Sequence, residues 1–227
     1  MKILIIGGSG FVSGTLARRA RDAGHAVTIV TRGEKPIPAG VAALKADRHA
    51  ADFAAVVRQA ADGWDLGVDC IGYTPEDAKQ DLDVIAPITD HFVFVSTDFV
   101  YDPAKRSYPQ GEDAEAYLSA GYGGNKRLAE LEFENQFKIN AWTVVRPCHI
   151  YGPGSKLGCL PFHGRDPDLI AKLKAGTPLR LAAGGLFLQQ PIHARDLADT
   201  ILSLAGTDSA RRTVLNTSGS HMILSSR

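Results

Sequence analysis

The stretch KILIIGGSGFVSG, residues 2–14, decides how the rest of the chain is read. A run of apolar residues gives way to a glycine-rich turn, and the turn opens directly into a helical pattern. In that pattern Phe11, Leu16, Ala20 and Ala23 recur at helical spacing, and Gly24 supplies the stop. A strand, a glycine turn and a helix in that order aim backbone N–H groups and a helix N-terminus at an anion, most often a pyrophosphate. Gly7 and Gly10 occupy the places where the main chain must turn tightly and where phosphate must approach it. Ser13 takes the third place, which governs how closely helix and strand pack, so the change weakens the pattern without abolishing the site. The alternative is a glycine-rich turn without a ligand. No Gly-Lys-Ser/Thr ending follows, which argues against a mononucleotide P-loop.

Outward from that turn, short apolar runs alternate with helical patterns. AVTIV, LGVDCI, HFVFVS and AWTVV read as strands with little polar alternation, the habit of a parallel sheet buried on both faces. AADFAAVVRQAA, PEDAKQDLDVIA and a long segment from Gly121 read as the intervening helices. The predicted fold is α/β, a doubly wound parallel sheet of Rossmann type. Residues 1–152 are assigned to a dinucleotide-binding domain. Residues 153–190 form a Gly- and Pro-rich substrate-side segment, and 191–227 return to the first domain with the helix RDLADTILSLAG and the strand RTVLNT.

Bulk properties bound the function. The chain has 227 residues, with Lys plus Arg and Asp plus Glu both counting 25. Zero net charge gives no electrostatic reason to expect nucleic acid or an anionic membrane as the main partner. Cys70, Cys148 and Cys159 are an odd number without a pairing pattern, which fits a reducing cytosol. Neither a signal peptide nor an apolar run of ~18 residues is visible, so a cytoplasmic protein with a small-molecule substrate is expected. A homodimer is compatible with this reading, and no metal site is expected.

The end of the second strand sorts the cofactor. A carboxylate there accepts bonds from the ribose of NAD, whereas arginine accommodates the 2′-phosphate of NADP. Here the strand runs into Thr31 and Arg32, a hydroxyl donor and a bidentate phosphate partner, so NADP(H) is favoured over NAD(H). Further on, Tyr122 and Lys126 stand four apart on the long helix, hence on one face. A neighbouring ammonium should lower the phenol's pKa toward the range of a useful proton carrier. Thr97 ends a buried strand, at the edge of the sheet where a ligand crevice forms.

Taken together, Gly7–Val12, Asp47-Arg48, Ser96–Tyr101, Tyr122/Lys126, Arg146–Gly154 and His193–Leu197 resemble the extended short-chain dehydrogenases/reductases, the NAD-dependent epimerase/dehydratase family. That resemblance implies a catalytic triad of Thr97, Tyr122 and Lys126, with Lys126 also holding the nicotinamide ribose. It implies cofactor contacts from Gly7, Gly10, Phe11, Val12, Asp47 at the adenine, Arg48 beside it, Cys70, Ile71, Gly72 and Pro147. Thr97, Asp98, Phe99 and His149 would face the substrate, and His193 with Asp196 would open the late helix. Sugar-nucleotide dehydratases of this family carry Asp-Glu after the threonine. Asp98-Phe99 is more similar to the keto-sugar reductases, since phenylalanine cannot move a proton. The implied activity is reduction of a keto group on a sugar nucleotide or similar metabolite. The alternatives are an epimerase of the same family, or a non-catalytic NADP- or RNA-binding relative, because GGSGF, ADR and GYTPED also resemble chloroplast stem-loop RNA-binding members. The family normally continues further, so a small, incomplete C-terminal substrate-binding part is expected.

Overall fold

A computed structural model describes residues 1–60, 63–155, 166–186 and 188–224. Its centre is a seven-stranded, wholly parallel sheet. In chain order the first strands are β1 (Lys2–Ile6), β2 (Ala26–Thr31), β3 (Ala42–Lys45), β4 (Leu66–Asp69), β5 (Phe92–Val95) and β6 (Trp142–Pro147). Two short strands, β7 (Ile150–Tyr151) and β9 (Ile192–His193), pair with each other, and β8 (Leu188–Gln189) pairs with β11 (Ile223–Leu224). The seventh strand of the sheet is β10 (Thr213–Thr217), giving the order β10-β6-β5-β4-β1-β2-β3. The order reverses between β1 and β4, so the ligand crevice of such a sheet falls at their carboxyl ends.

The helices are α1 (Phe11–Asp22), α2 (Phe53–Gln59), α3 (Pro75–Gln80), α4 (Gly121–Asn135), α5 (Leu169–Lys174) and α6 (Ala194–Leu204). Two separate apolar layers hold all of them but α5 to the sheet. Ile3, Ile5 and Val68 point to α1 and α6, whereas Leu4, Ile6 and Phe94 point to α2, α3 and α4. This alternation along strands buried on both faces is why the runs read as nearly continuous apolar sequence. The segment expected as one helix over PEDAKQDLDVIA is broken into α3, a π turn at Asp81–Ile85 and a 3-10 turn at Ala86–Ile88. A π turn redirects side chains locally, and Asp81 at its start is fully buried. The apolar LRLAA leads into a 3-10 turn at Ala182–Gly185 rather than a regular element. Among the described residues no helix is long and apolar enough to cross a membrane.

Candidate dinucleotide and catalytic site

The loop after β1 is shaped by its glycines. Gly8 has φ +97°, and a Cβ there would stand 2.2 Å from Ile29 Cγ2, so only glycine lets the turn lie on β2. Gly10 then caps α1, whose first turn carries no acidic side chain, leaving the N-terminal N–H groups and helix dipole available to an anion. Ser13 does more than pack: its Oγ accepts the Gly10 N–H at 3.1 Å and lines the same cavity.

That cavity, about 330 Å³, runs along the carboxyl ends of β1 and β2. Gly7, Gly10, Thr31, Arg32, Asp47, Arg48 and Ile71 border it, as expected residues do, and Ser9, Glu34, Lys35 and Tyr73 join them. Phe11, Val12, Cys70, Gly72, Lys126 and Pro147 are not among its walls. Val12 and Cys70 pack instead against the α1 and α6 layer, and burial pushes the Cys70 thiol up, with Asp69 adding to the shift. Arg32 is exposed and pairs with Glu34 at 2.9 Å. Arg48, expected beside the adenine, borders the cavity and pairs its guanidinium with Asp69 at 2.6 Å, Asp81 at 3.1 Å and Asp77 at 3.2 Å. The sequence gives each acid in plain view but not their convergence, which depends on the π turn.

The catalytic candidates gather at the end of β5. Thr97 caps a 3-10 turn at Asp98–Val100, its Oγ1 accepting the Phe99 N–H at 3.2 Å. Its side chain lies close enough to that of Tyr122 to lower the phenol's pKa. Gly123 makes this approach feasible, because a Cβ there would lie 2.0 Å from the Phe99 carbonyl oxygen. The two segments touch backbone to backbone only at a residue without a side chain.

Lys126 does not act on Tyr122 as the spacing suggests. Its Nζ is buried and donates to the carbonyls of Gly72 at 2.5 Å and Val95 at 2.6 Å. The ammonium lies 4.4 Å from the centre of the Phe94 ring and 5.4 Å from that of Tyr73. Burial lowers its pKa to about 8, against the pull of Asp69 and Glu130. The Tyr122 pKa is raised, chiefly by desolvation and less by Tyr73 and Asp98, while the adjacent Thr97 lowers it. Tyr122 therefore enters neutral pH as a protonated donor.

Around the pair, Tyr73 and Phe99 stand with ring centres 6.3 Å and 6.5 Å from that of Tyr122, all three about half exposed. Tyr73 borders the cavity as well and so joins it to Tyr122. Sequence reasoning missed Tyr73, whose signal was its place just after the glycine that follows β4. Asp98 is held by Arg106 at 2.9 Å, and burial raises its pKa. His149 carries the backbone carbonyl that accepts the Ile192 N–H at 2.9 Å, and its ring lies close enough to Asp98 to act on its charge. The Cys148 thiol donates to the Gln190 carbonyl at 2.6 Å, and burial pushes its pKa up to about 11, away from nucleophile chemistry. His193 caps α6, accepting the Arg195 N–H at 3.2 Å, and Asp196 sits in the first turn. The loop of residues 156–165, with Cys159, lies outside the described residues. Among the described residues no cluster of His, Cys, Asp or Glu could hold a metal ion.

Behind the site, Arg146 and Glu130 form a fully buried pair at 2.6 Å. Ser96 adds a hydrogen bond to Glu130 at 2.5 Å, and Tyr101 accepts from Arg146 at 2.8 Å. The pair ties α4 to the carboxyl ends of β5 and β6 and so fixes the helix that carries Tyr122 and Lys126.

Comparison with known proteins places this geometry. The profile of the NAD dependent epimerase/dehydratase family matches residues 81–216. The chain is 30% identical over 233 aligned residues to the chloroplast stem-loop binding protein of 41 kDa b from Arabidopsis thaliana, covering 96% of this chain and 58% of that one. It is 29% identical to 2'-dehydrokanamycin reductase from Streptomyces kanamyceticus, covering 97% of this chain and 62% of the relative. The chain thus spans about three fifths of the length of these relatives. In fold it is similar to UDP-glucuronic acid 4-epimerase from Bacillus cereus, solved with UDP-glucuronic acid and NAD. The TM-score is 0.75 and the identity 19%, with 99% of this chain and 79% of that one covered.

Proposed function

The chain belongs to the NAD dependent epimerase/dehydratase family, and we propose that within it this site serves a dinucleotide-dependent reductase acting on a ketone. The observation that carries the reading is the meeting, at Tyr73, of a glycine-built anion cradle with Tyr122 and the neighbouring Thr97. Gly7, Gly10 and the start of α1 fit a pyrophosphate, and Thr31, Arg32 and Lys35 fit the far ribose. A bound nicotinamide dinucleotide supplies the hydride. Thr97 orients the substrate carbonyl, and Tyr122, held protonated by its surroundings, delivers a proton to the carbonyl oxygen. Lys126 is anchored beneath them by two carbonyls and positions the floor of the site. Phe99 carries no proton and Asp98 is occupied by Arg106, which favours reduction over elimination of water. A keto-sugar nucleotide or a related keto sugar is the proposed substrate class, in keeping with the named reductase relative.

For the cofactor we favour NADP(H). β2 ends on Thr31 without a carboxylate, and the Arg32–Glu34 pair is exposed on both sides. Such a surface pair contributes only about 0–1 kcal/mol, so Arg32 can exchange Glu34 for a phosphate at little cost. The test is a screen of keto-sugar nucleotides for NADPH oxidation, beside a Tyr122→Phe variant. Loss of about 100-fold or more in kcat with NADPH affinity retained is expected; turnover unchanged by the substitution refutes the mechanism. NADH binding as tightly as NADPH refutes the cofactor choice.

One relative supports a second reading, since it is named for stem-loop binding. Salt-sensitive capture of an RNA hairpin without any turnover in the same screen would favour it.

A further inference from the structure

Between β4 and α3 the N–H groups of residues 71–74 are held by side chains. These four successive groups, from Ile71 to Thr74, are divided between two carboxylates. Asp69 Oδ1 accepts Ile71 at 2.7 Å and Gly72 at 3.0 Å. Asp77 Oδ2 accepts Tyr73 at 2.7 Å and Thr74 at 3.1 Å. The opposite oxygens of both acids turn to one guanidinium: Asp69 Oδ2 to Arg48 Nη1 at 2.6 Å and Asp77 Oδ1 to Arg48 Nε at 3.2 Å. Arg48 Nη2 also donates to the Asp77 carbonyl at 2.9 Å and to Asp81 at 3.1 Å. Every member of this group is at most 5% exposed. The segment so fixed contributes Ile71 and Tyr73 to the cavity wall and the Gly72 carbonyl to Lys126. Gly72 itself is pressed against its anchor, for a Cβ there would stand 2.3 Å from Asp69 Oδ2.

We propose that Arg48 is a positioning residue: through Asp69 and Asp77 it clasps residues 71–74, and the clasped segment aims Lys126 and presents Tyr73 at the dinucleotide cavity. This deepens the reductase reading above and rests on it for the part Lys126 and Tyr73 play. Arg48 thereby acts on the site through Asp69 and Asp77. Asp81 is the third acid on one guanidinium. Burial, reinforced by Asp69, raises its pKa above the usual carboxylate range while Arg48 pulls it down. Asp81 accepts none of the four amides, so Asp69 and Asp77 are the two acids through which the guanidinium reaches the segment.

Amide hydrogen exchange on the folded chain tests the clasp directly, beside amine-reactive labelling of Lys126 read by mass spectrometry and NADPH binding read by fluorescence. In the wild type the amides of residues 71–74 should exchange about 100-fold more slowly than those of exposed loops. Arg48→Lys keeps the charge and loses the fork. It should speed those four amides, raise Lys126 labelling and weaken NADPH binding, each by about tenfold, with β5 amides unchanged. Asp69→Asn, a milder change that still offers an acceptor to Ile71 and Gly72, should move the same three readouts in the same direction. Asp81→Asn, which touches none of the four amides and still offers an acceptor to Arg48, should leave all three within about twofold of wild type. Free exchange of the four amides in the wild type overturns the proposal. So does their release without any change in Lys126 labelling or NADPH binding, or a loss in Asp81→Asn as large as in Arg48→Lys. A wild type that binds no dinucleotide removes the reductase reading, while exchange and labelling still decide the clasp.

Discussion

Lys126 offers a prediction in which sign and size both come from the structure. Its side chain is buried at the end of β5, with two carbonyls as hydrogen-bond partners. Burial lowers its pKa from the ordinary 10.5 to about 8, although Asp69, Glu130, Cys70 and Asp81 all pull it upward. Below pH 8 both folded and unfolded chains hold the proton, and the native state bears the whole cost of burying the charge. Between pH 8 and 10.5 the unfolded chain still holds a proton that the folded one has released. The unfolded state then binds more protons, so stability rises with pH. Integrated from pH 7 to pH 9, the gain is about 1 kcal/mol. With a urea m-value of about 2–3 kcal/mol/M for a chain of this size, the midpoint should climb by about 0.5 M. The assay is urea unfolding at pH 7, 8 and 9 for the wild type and for Lys126→Met. Burial pushes Cys70 and Cys148 upward, so their buried thiols act in the opposite sense near pH 9. The difference between the two proteins removes the Cys148 contribution, and Lys126→Met/Cys70→Ala measured beside Cys70→Ala removes that of Cys70, whose shift includes Lys126. Midpoints that rise in parallel for wild type and variant would refute the assignment of the slope to Lys126.

The loop after β1 should separate stability from binding. Gly8→Ala combines a positive φ with a clash against Ile29, worth about 2–5 kcal/mol, and calorimetry should show Tm falling by about 5–15 °C. In Gly10→Ala the new methyl meets only Ser13 Oγ at 3.2 Å, so Tm should barely move while NADPH binding weakens by about tenfold, or ~1.4 kcal/mol. Glu130→Gln leaves Arg146 buried without its counter-charge, and denaturant unfolding should show a loss of about 3–5 kcal/mol. At the cavity rim Arg32→Ala should erase a preference for NADPH over NADH and Glu34→Ala should enlarge it. Equal dissociation-constant ratios in both variants would show that neither side chain reads the ribose.

The architecture was legible because buried parallel strands write themselves as apolar runs, and β1, β2, β4, β5, β6 and β10 lie where those runs lie. β3 escaped notice because it is a largely exposed edge strand of four residues, too short and too polar in surroundings to show a period. The paired two-residue strands β7 and β9 escaped for a different reason: their ladder depends on contacts about forty residues apart, which no local pattern encodes. At the site, backbone positions were easier to foresee than side-chain directions. Gly7, Gly10, Thr31 and Thr97 follow from the order of elements, whereas the orientation of Arg48 follows from acids on β4, α3 and the π turn. Lys126 shows the same limit. Helical spacing placed it on the face of Tyr122, but carbonyls from two other segments decided where its ammonium went.

The two apolar layers also differ in when they can be completed. The layer on α2, α3 and α4 takes its buried members from residues no later than Val144. The layer on α1 requires Leu197, Ala198 and Ile201, and its edge is fastened by Arg19 to Asp199, 180 residues downstream. At about 5–20 residues per second on a ribosome, α1 waits on the order of 10–40 s for its partner helix. From the synthesis of Val144 to that of Ile201, roughly the last third of that wait, one face of the sheet has all its buried members while the other carries an uncovered apolar stripe. Synthesis therefore passes through a half-clad intermediate, and the step that ends it is the docking of α6.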